Sequence, residues 1–394
     1  MCNASPPALA HQSHYTQYRL AISSELCMSV VSMNVCYSVA GFPVRTVYSA
    51  AARIAVAGMP FGLPRGLIRT MKIIAIEEHF TTAMYRENVK RGDYRDFYLS
   101  SRSQHLGHDI PSQLFDLGDQ RLRYMDASGI DIQVLSFGSP GPQGFGKEIA
   151  IPMARDANER LYQAVNTHPT RFAGFAALPT ADPEEAAREF ERSVKELGFK
   201  GAMIHGHQQG SFLDDKKYWP IFECAQALDV PIYLHPTMAH PEATKAYFEG
   251  YEELRGSPWG FAIDTSCHFL RIMFAGVFDA YPRLKIILGH LGEGLPFAMH
   301  RLNDHSSPAA ARRGLKKTPL QYIKDNLIVT TSGNWYEPAF VCTLLALGAD
   351  AILWAVDWPF ESNTVGMAFF DKLSLSDIDK EKIAHLNAER VLRL

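Results

Sequence analysis

Eight short, largely apolar runs alternate with helical patterns between residues 72 and 357, and this alternation constrains the fold more than any other feature. The first four are KIIAIE (72–77), IDIQVLSF (130–137), FAGFAAL (172–178) and GAMIHG (201–206). VPIYLHP (230–236), KIILGH (285–290), LIVTTSG (327–333) and AILWAVD (351–357) complete the set. Most are continuously apolar, as expected of parallel strands covered on both faces. The segments between them carry helix signals. In ADPEEAAREFERSVKELGFKG, Asp182 suits an N-cap, Pro183 the first helical position and Gly198 the stop. Eight strands alternating with helices predict an α/β fold, a (β/α)8 TIM barrel. The rival is a doubly wound open sheet, but no GxGxxG or GxxxxGK[ST] follows any strand, so nucleotide binding has no support.

Residues 1–70 differ in character from the rest of the chain. They hold a single acidic residue, Glu25, against Arg19, Arg45, Arg53, Arg65 and Arg69. Two readings of this extension stand side by side: an organelle transit peptide, or sequence upstream of a true start at Met71. The barrel domain is then 71–394, cytoplasmic, or mitochondrial if the extension is a transit peptide. A formal net charge of −3 supplies no basic field for a polyanion, so nucleic acid is not an expected partner. No uninterrupted apolar run is long enough to cross a bilayer, and no membrane partner is expected. The six cysteines form no CxxC pair, and reduced, buried thiols are expected.

Ionisable residues gather at the ends of the apolar runs. Glu77 and His79 close the first, and His205 and His207 come after the fourth. His235 ends the fifth, His290 the sixth, Ser332 and Asn334 close the seventh, and Asp357 ends the eighth. One histidine at a strand end is ordinarily a hydrogen-bonded structural residue, and one aspartate there is ordinarily a helix cap. Recurrence at successive strand ends fits neither explanation, because in a barrel these positions converge on the C-terminal mouth, where active sites lie. Side chains alternate along a strand, so Glu77 and His79 should share a face and Glu78 should point into the helical layer. Two imidazoles and two carboxylates, from Glu77, His79, His235 and Asp357, would suit Zn²⁺ or Mn²⁺.

The motifs EEHF (77–80), RLRYMDASGID (121–131), GFKGAMIHGH (198–207), GHLGE (289–293), TTSGN (330–334) and DWPFE (357–361) extend through the barrel. With them, residues 71–394 resemble the amidohydrolase superfamily, in its branch of metal-dependent, oxygen-independent aromatic acid decarboxylases. Such enzymes act on γ-resorcylate, 2,3-dihydroxybenzoate and 5-carboxyvanillate. The resemblance implies that Glu77, His79, His235 and Asp357 hold one divalent ion, zinc or manganese. It makes His290 the active-site histidine, Glu293 its supporting carboxylate and Arg301 a substrate contact. Trp259 and Phe261, in SPWGFAIDTSCH (257–268), are candidates to flank the substrate ring, and Asn334 is a candidate substrate contact. His205 stands where the γ-resorcylate enzymes carry asparagine. GHQQGSFLDD (206–215) and NWYEPA (334–339) look more like the 5-carboxyvanillate enzymes. The group tends to form homodimers or homotetramers.

The expected reaction is loss of CO₂ from a small ortho-hydroxylated aromatic acid, a carbon–carbon lyase reaction. The ring carbon is protonated first, so that no aryl carbanion forms. A protonated Asp357 would deliver that proton with His290 assisting, which requires a perturbed pKa. The alternative within the same superfamily is hydrolysis of an amide, a lactone or a ring-cleavage product. A barrel serving only as a binding scaffold is the reading from outside enzymology, and lost ligand residues would mark it.

Overall fold

Parallel strands coincide closely with the apolar runs in the computed structural model, which describes residues 71–89 and 94–394. The expectations for residues 1–70, with Cys2, Cys27 and Cys36, lie outside the described residues. The strands are β1 (Ile74–Phe80), β2 (Ile132–Phe137), β3 (Phe172–Gly174), β4 (Ala176–Ala177) and β5 (Ala202–His205). After them come β6 (Ile232–His235), β7 (Ile286–Leu288), β8 (Leu327–Thr330) and β9 (Ile352–Leu353). Each pairs in parallel with its sequence neighbour, in the orders β1-β2-β3 and β4 to β9.

The third run divides into β3 and β4 because its hydrogen bonds change partner. Phe175 N donates to Leu135 O at 2.9 Å, and Ala176 N donates to Gly201 O at 2.9 Å. One stave therefore hands over from β2 to β5. At the other seam Ile76 N donates to Trp354 O at 3.1 Å and His79 N to Trp358 O at 2.8 Å. These bonds close the sheet into an eight-staved barrel, as the alternation predicts.

Inward residues Ile74, Ile76, Val134, Phe175, Met203, Tyr233, Ile287, Ile328 and Leu353 form one buried cluster. Ile73, Ala75, Leu135, Ile204, Leu234, Leu288, Val329 and Trp354 face outward and pack against the helices in a second, larger cluster. This double burial explains why the strands read as continuous apolar runs. The helix Pro183–Lys195 starts as expected, with Asp182 accepting from Glu185 N at 3.1 Å. Cys224, Cys267 and Cys342 carry no disulfide, but Cys224 and Cys342 are half-buried and Cys267 is exposed, which corrects the expectation of buried thiols. Helical spacing set them on half-covered faces rather than in the core. Among the described residues no helix is long and apolar enough to cross a membrane.

Candidate metal centre and active site

A bulge in β1 aims the first pair of candidate ligands. Ile76 pairs with Val134 and Glu78 with Leu135, so Glu77 is the extra residue, with φ 77°. Ile74 and Ile76 face inward, and strict alternation would send Glu78 inward as well. The extra residue reverses the phase. Glu77 and His79 then reach the mouth, and Glu78 meets Gln133 on the outer side.

One ligand atom each from Glu77, His79, His235 and Asp357 lies within 4.8 Å of the others. Glu77 Oε1 is 3.3 Å from His235 Nε2, and Asp357 Oδ1 is 3.2 Å from His79 Nε2. Yet Glu77 Oε1, His79 Nε2 and Asp357 Oδ1 are buried and make no hydrogen bond. Buried polar atoms without partners are costly, and here they converge. That convergence of two nitrogens and two oxygens fits a divalent ion of the zinc or manganese type.

The surrounding shell fixes these atoms. Tyr233, on β6, donates to Glu77 Oε2, and Thr330 Oγ1 donates to the same oxygen at 3.1 Å. His79 Nδ1 pairs with Ser136 Oγ at 3.1 Å. His205 Nε2 lies 2.7 Å from the Phe137 carbonyl and therefore carries the hydrogen, which leaves His205 Nδ1 as an acceptor. His235 Nδ1, 3.0 Å from that atom and 2.7 Å from Pro236 O, then carries its own hydrogen. His235 Nε2 is left with a bare lone pair facing Glu77. His205 thus sets the tautomer of His235, the outer-shell role that ligating histidines commonly need.

His290 stands at the open side. Its Nδ1 meets Glu293 Oε1 at 2.6 Å, and its Nε2 lies 3.7 Å from Glu77 Oε1 and 3.9 Å from Asp357 Oδ2. Burial alone would lower the His290 pKa, but Glu293, Glu77 and Asp357 outweigh it and hold the imidazole well above its usual range. Burial would raise Asp357, and the nearby His290 and His79 imidazoles overcome this and hold it well below the carboxylate range. Glu77 is likewise lowered: burial opposes, and His290 and His235 prevail. These directions favour the proton on His290 over Asp357, whereas the expected mechanism needs it on Asp357. Glu77, His290, Glu293 and Asp357 all have positive φ, between 52° and 77°. Such strain gathers where a surrounding structure fixes functional groups.

The ligands open onto a cavity of about 750 Å³, lined by His235, His290 and Asp357 at one end and by Phe248, Phe261 and Phe360 among its apolar residues. Of the other sequence candidates, Phe261 lines this cavity, while Trp259 and Arg301 are exposed and outside its lining. Asn334 is also outside the lining, and its backbone N–H donates to Thr331 O at 3.2 Å. His207 Nδ1 accepts from Gly210 N at 2.9 Å and shapes the loop after β5. His268 Nε2 accepts from Leu213 N at 2.8 Å, and burial pulls its pKa down to about 3, so it is a neutral structural histidine. Sequence reasoning missed Tyr233 and Phe360. Tyr233 lies two residues before His235 on the same inward face, so the strand period alone carried its signal.

A closed parallel barrel with this donor set at the C-terminal ends of its strands defines a barrel enzyme built around a divalent ion. The chain belongs to the amidohydrolase family, which it matches over residues 79–394. It is 40% identical to a γ-resorcylate decarboxylase of Polaromonas sp. over 82% of this chain and 98% of the relative. A solved dihydroxybenzoic acid decarboxylase from Polaromonas sp., with bound manganese and the inhibitor 2-nitroresorcinol, superimposes with a TM-score of 0.73. That pair is 39% identical over 82% of this chain and 97% of that one. The 5-carboxyvanillate decarboxylase of Novosphingobium aromaticivorans, with manganese and a nitrobenzoic acid, has a TM-score of 0.76 at 34% identity. There 82% of this chain and 97% of that one are covered.

Proposed function

We propose that this protein is a metal-dependent, oxygen-independent decarboxylase of an ortho-hydroxylated aromatic carboxylic acid. The observation that carries the proposal is the convergence of three unpartnered buried ligand atoms at the head of a mostly apolar cavity, beside His290, whose Nδ1 meets Glu293 at 2.6 Å. A divalent ion held by Glu77, His79, His235 and Asp357 would supply a template and Lewis acid for the substrate carboxylate and ortho-phenol oxygens. The protein groups supply the rest. Glu293 holds His290 protonated, and His290 faces Asp357 across 3.9 Å. An anionic substrate arriving beside Asp357 raises its proton affinity, so the proton can pass from His290 by way of Asp357 to the carboxyl-bearing ring carbon. The bond from that carbon to the carboxylate then breaks, its electron pair restores the aromatic ring, and CO₂ leaves. No oxidant enters the balance. Phe360, whose ring centroid lies 5.7 Å from that of His79, flanks the ring and keeps water from the protonated carbon.

The catalytic unit is residues 71–394, and residues 1–70 are an extension outside it. Support comes from the family match, which starts at residue 79, and from the ligands His79, His235 and Asp357 lying inside it with Glu77 two residues before. We read the enzyme as cytoplasmic and as a homodimer or homotetramer. Phe297 at 89%, Tyr247 at 69% and Tyr336 at 65% exposed give it apolar surface to cover. Size-exclusion chromatography with light scattering tests the subunit number, and fractionation of the source cells tests the compartment.

The decisive assay loads the protein with Mn²⁺ or Zn²⁺ and incubates it with salicylate, γ-resorcylate, 2,3-dihydroxybenzoate and 5-carboxyvanillate. Metal-dependent appearance of the decarboxylated phenol, abolished in Asp357→Asn, is the expected result. No turnover of any acid by metal-loaded protein would overturn the proposal in favour of hydrolysis.

A further inference from the structure

The cavity is larger than a hydroxybenzoate needs. At about 750 Å³ it falls among sites that enclose drug-sized ligands, roughly 300–1,000 Å³. His235, His290 and Asp357 mark the reacting end, and Phe360 lies there too, its ring 5.7 Å from that of His79. The rest of the lining includes the apolar side chains of Met238, Ala239, Phe248 and Phe261, all buried or half-buried. Of the charged residues in the lining beyond the reacting end, Lys245, Glu249 and Glu252 are exposed and Arg255 is half-buried.

A ring held by its carboxylate and phenol at the reacting end therefore leaves an apolar wall in front of whatever the ring carries next. We infer that the substrate is an ortho-hydroxyaryl acid bearing an apolar substituent of several carbons, an alkyl or alkenyl chain, that runs along Met238, Ala239, Phe248 and Phe261. The inference rests on the decarboxylase reading above and names the substrate class of that same site. An apolar chain gains free energy against these side chains by leaving water. Chain contacts lie away from the reacting carbon. They form in the ground state and the transition state alike, so they lower KM and leave kcat nearly unchanged.

The experiment uses the full chain loaded with Mn²⁺ and two series of 2-hydroxybenzoates, with methyl, propyl, pentyl or heptyl at ring position 4 or 6. The expected result is a rise in kcat/KM of up to about fourfold per added methylene in at least one series, carried by KM. Ala239→Leu, which fills the wall, should lower the ratio of kcat/KM for pentyl to methyl. Phe261→Ala, which removes part of it, should flatten the series, and thermal melts verify that both variants fold. Turnover of the unsubstituted acid with no gain in either series would overturn the inference and leave the decarboxylase reading standing. Failure to turn over any acid, substituted or not, would sink both.

Discussion

At the scale of single residues, the proposed site depends on groups that orient the candidate ligands as much as on the candidate ligands themselves. Glu77 Oε2 is held by Tyr233 and Thr330, which leaves Oε1 free of hydrogen bonds and aimed at the other donors. Tyr233→Phe removes one holder while keeping the ring in the inner core. Its expected effect is metal affinity about 10–100-fold weaker with kcat largely restored at saturating metal, read by metal titration of the apoprotein. Glu293 acts on the proton instead. His290 is raised above its ordinary 6.5, so it is cationic at neutral pH and loses its proton only as pH climbs through that raised value. Activity that needs this proton should persist through neutrality and fall on the alkaline side. Glu293→Gln removes a main raising charge, so the alkaline limb of the kcat/KM profile should move to lower pH; an unmoved limb would assign it to another group. Of this site, the residues that end strands were legible in the sequence, because strand ends in a barrel converge. The bulge at Glu77 was not. It depends on φ 77° in a non-glycine residue, a conformation imposed by the neighbouring strand and unmarked by residue type.

At the scale of elements, Glu78 is the clamp that brings β1 beside the segment after β9 that bears Asp357. Its carboxylate accepts from Val356 N at 3.0 Å, Trp358 N at 3.2 Å and Gln133 Nε2 at 3.2 Å. Arg121, from the RLRYMDASGID motif, donates to His79 O at 2.6 Å and lies 4.2 Å from the Trp358 ring centroid. Burial drives Glu78 well above the ordinary carboxylate range, against the pull of the Val356 N–H and the Arg121 charge. Burial also brings Arg121 down to about 9, which still leaves it cationic at neutral pH. Gln133 bridges the two, its Nε2 donating to Glu78 and its Oε1 accepting from Arg121 Nη1 at 3.3 Å, so removing either side leaves buried polar atoms of the network without a partner. Glu78→Ala and Arg121→Ala should each cost about 1–3 kcal/mol, and the double variant should cost less than their sum in denaturant melts. Additive losses would mean that the two groups act separately. Strand and helix order were legible because burial on both faces makes each strand a continuous apolar run. Strand ends were less so: the break at Phe175 reflects a change of hydrogen-bonding partner, which residue type does not encode.

Across the whole molecule, the candidate ligands come from opposite ends of the barrel sequence, since Glu77 and His79 lie on β1 and Asp357 lies just beyond β9, the last strand. The barrel seam passes between them, held by backbone bonds such as His79 N to Trp358 O at 2.8 Å. Three carboxylates, Glu77, Glu293 and Asp357, surround one strongly favoured cation, His290. A bound divalent ion would offset that excess of negative charge and tie the first strand to the last. Ion binding is therefore coupled to folding, because the unfolded chain separates Glu77 from Asp357 and has no such site. At a free Mn²⁺ concentration about 100 times its dissociation constant, the folded state should gain about 2.7 kcal/mol. Thermal melts of protein stripped with a chelator should therefore move upward when Mn²⁺ or Zn²⁺ is restored. The shift should vanish in Glu77→Gln, whose side chain cannot offer an anionic ligand. A melt that ignores added metal in the wild-type chain would mean that the four donors do not share an ion, and that closure of the barrel is complete without one.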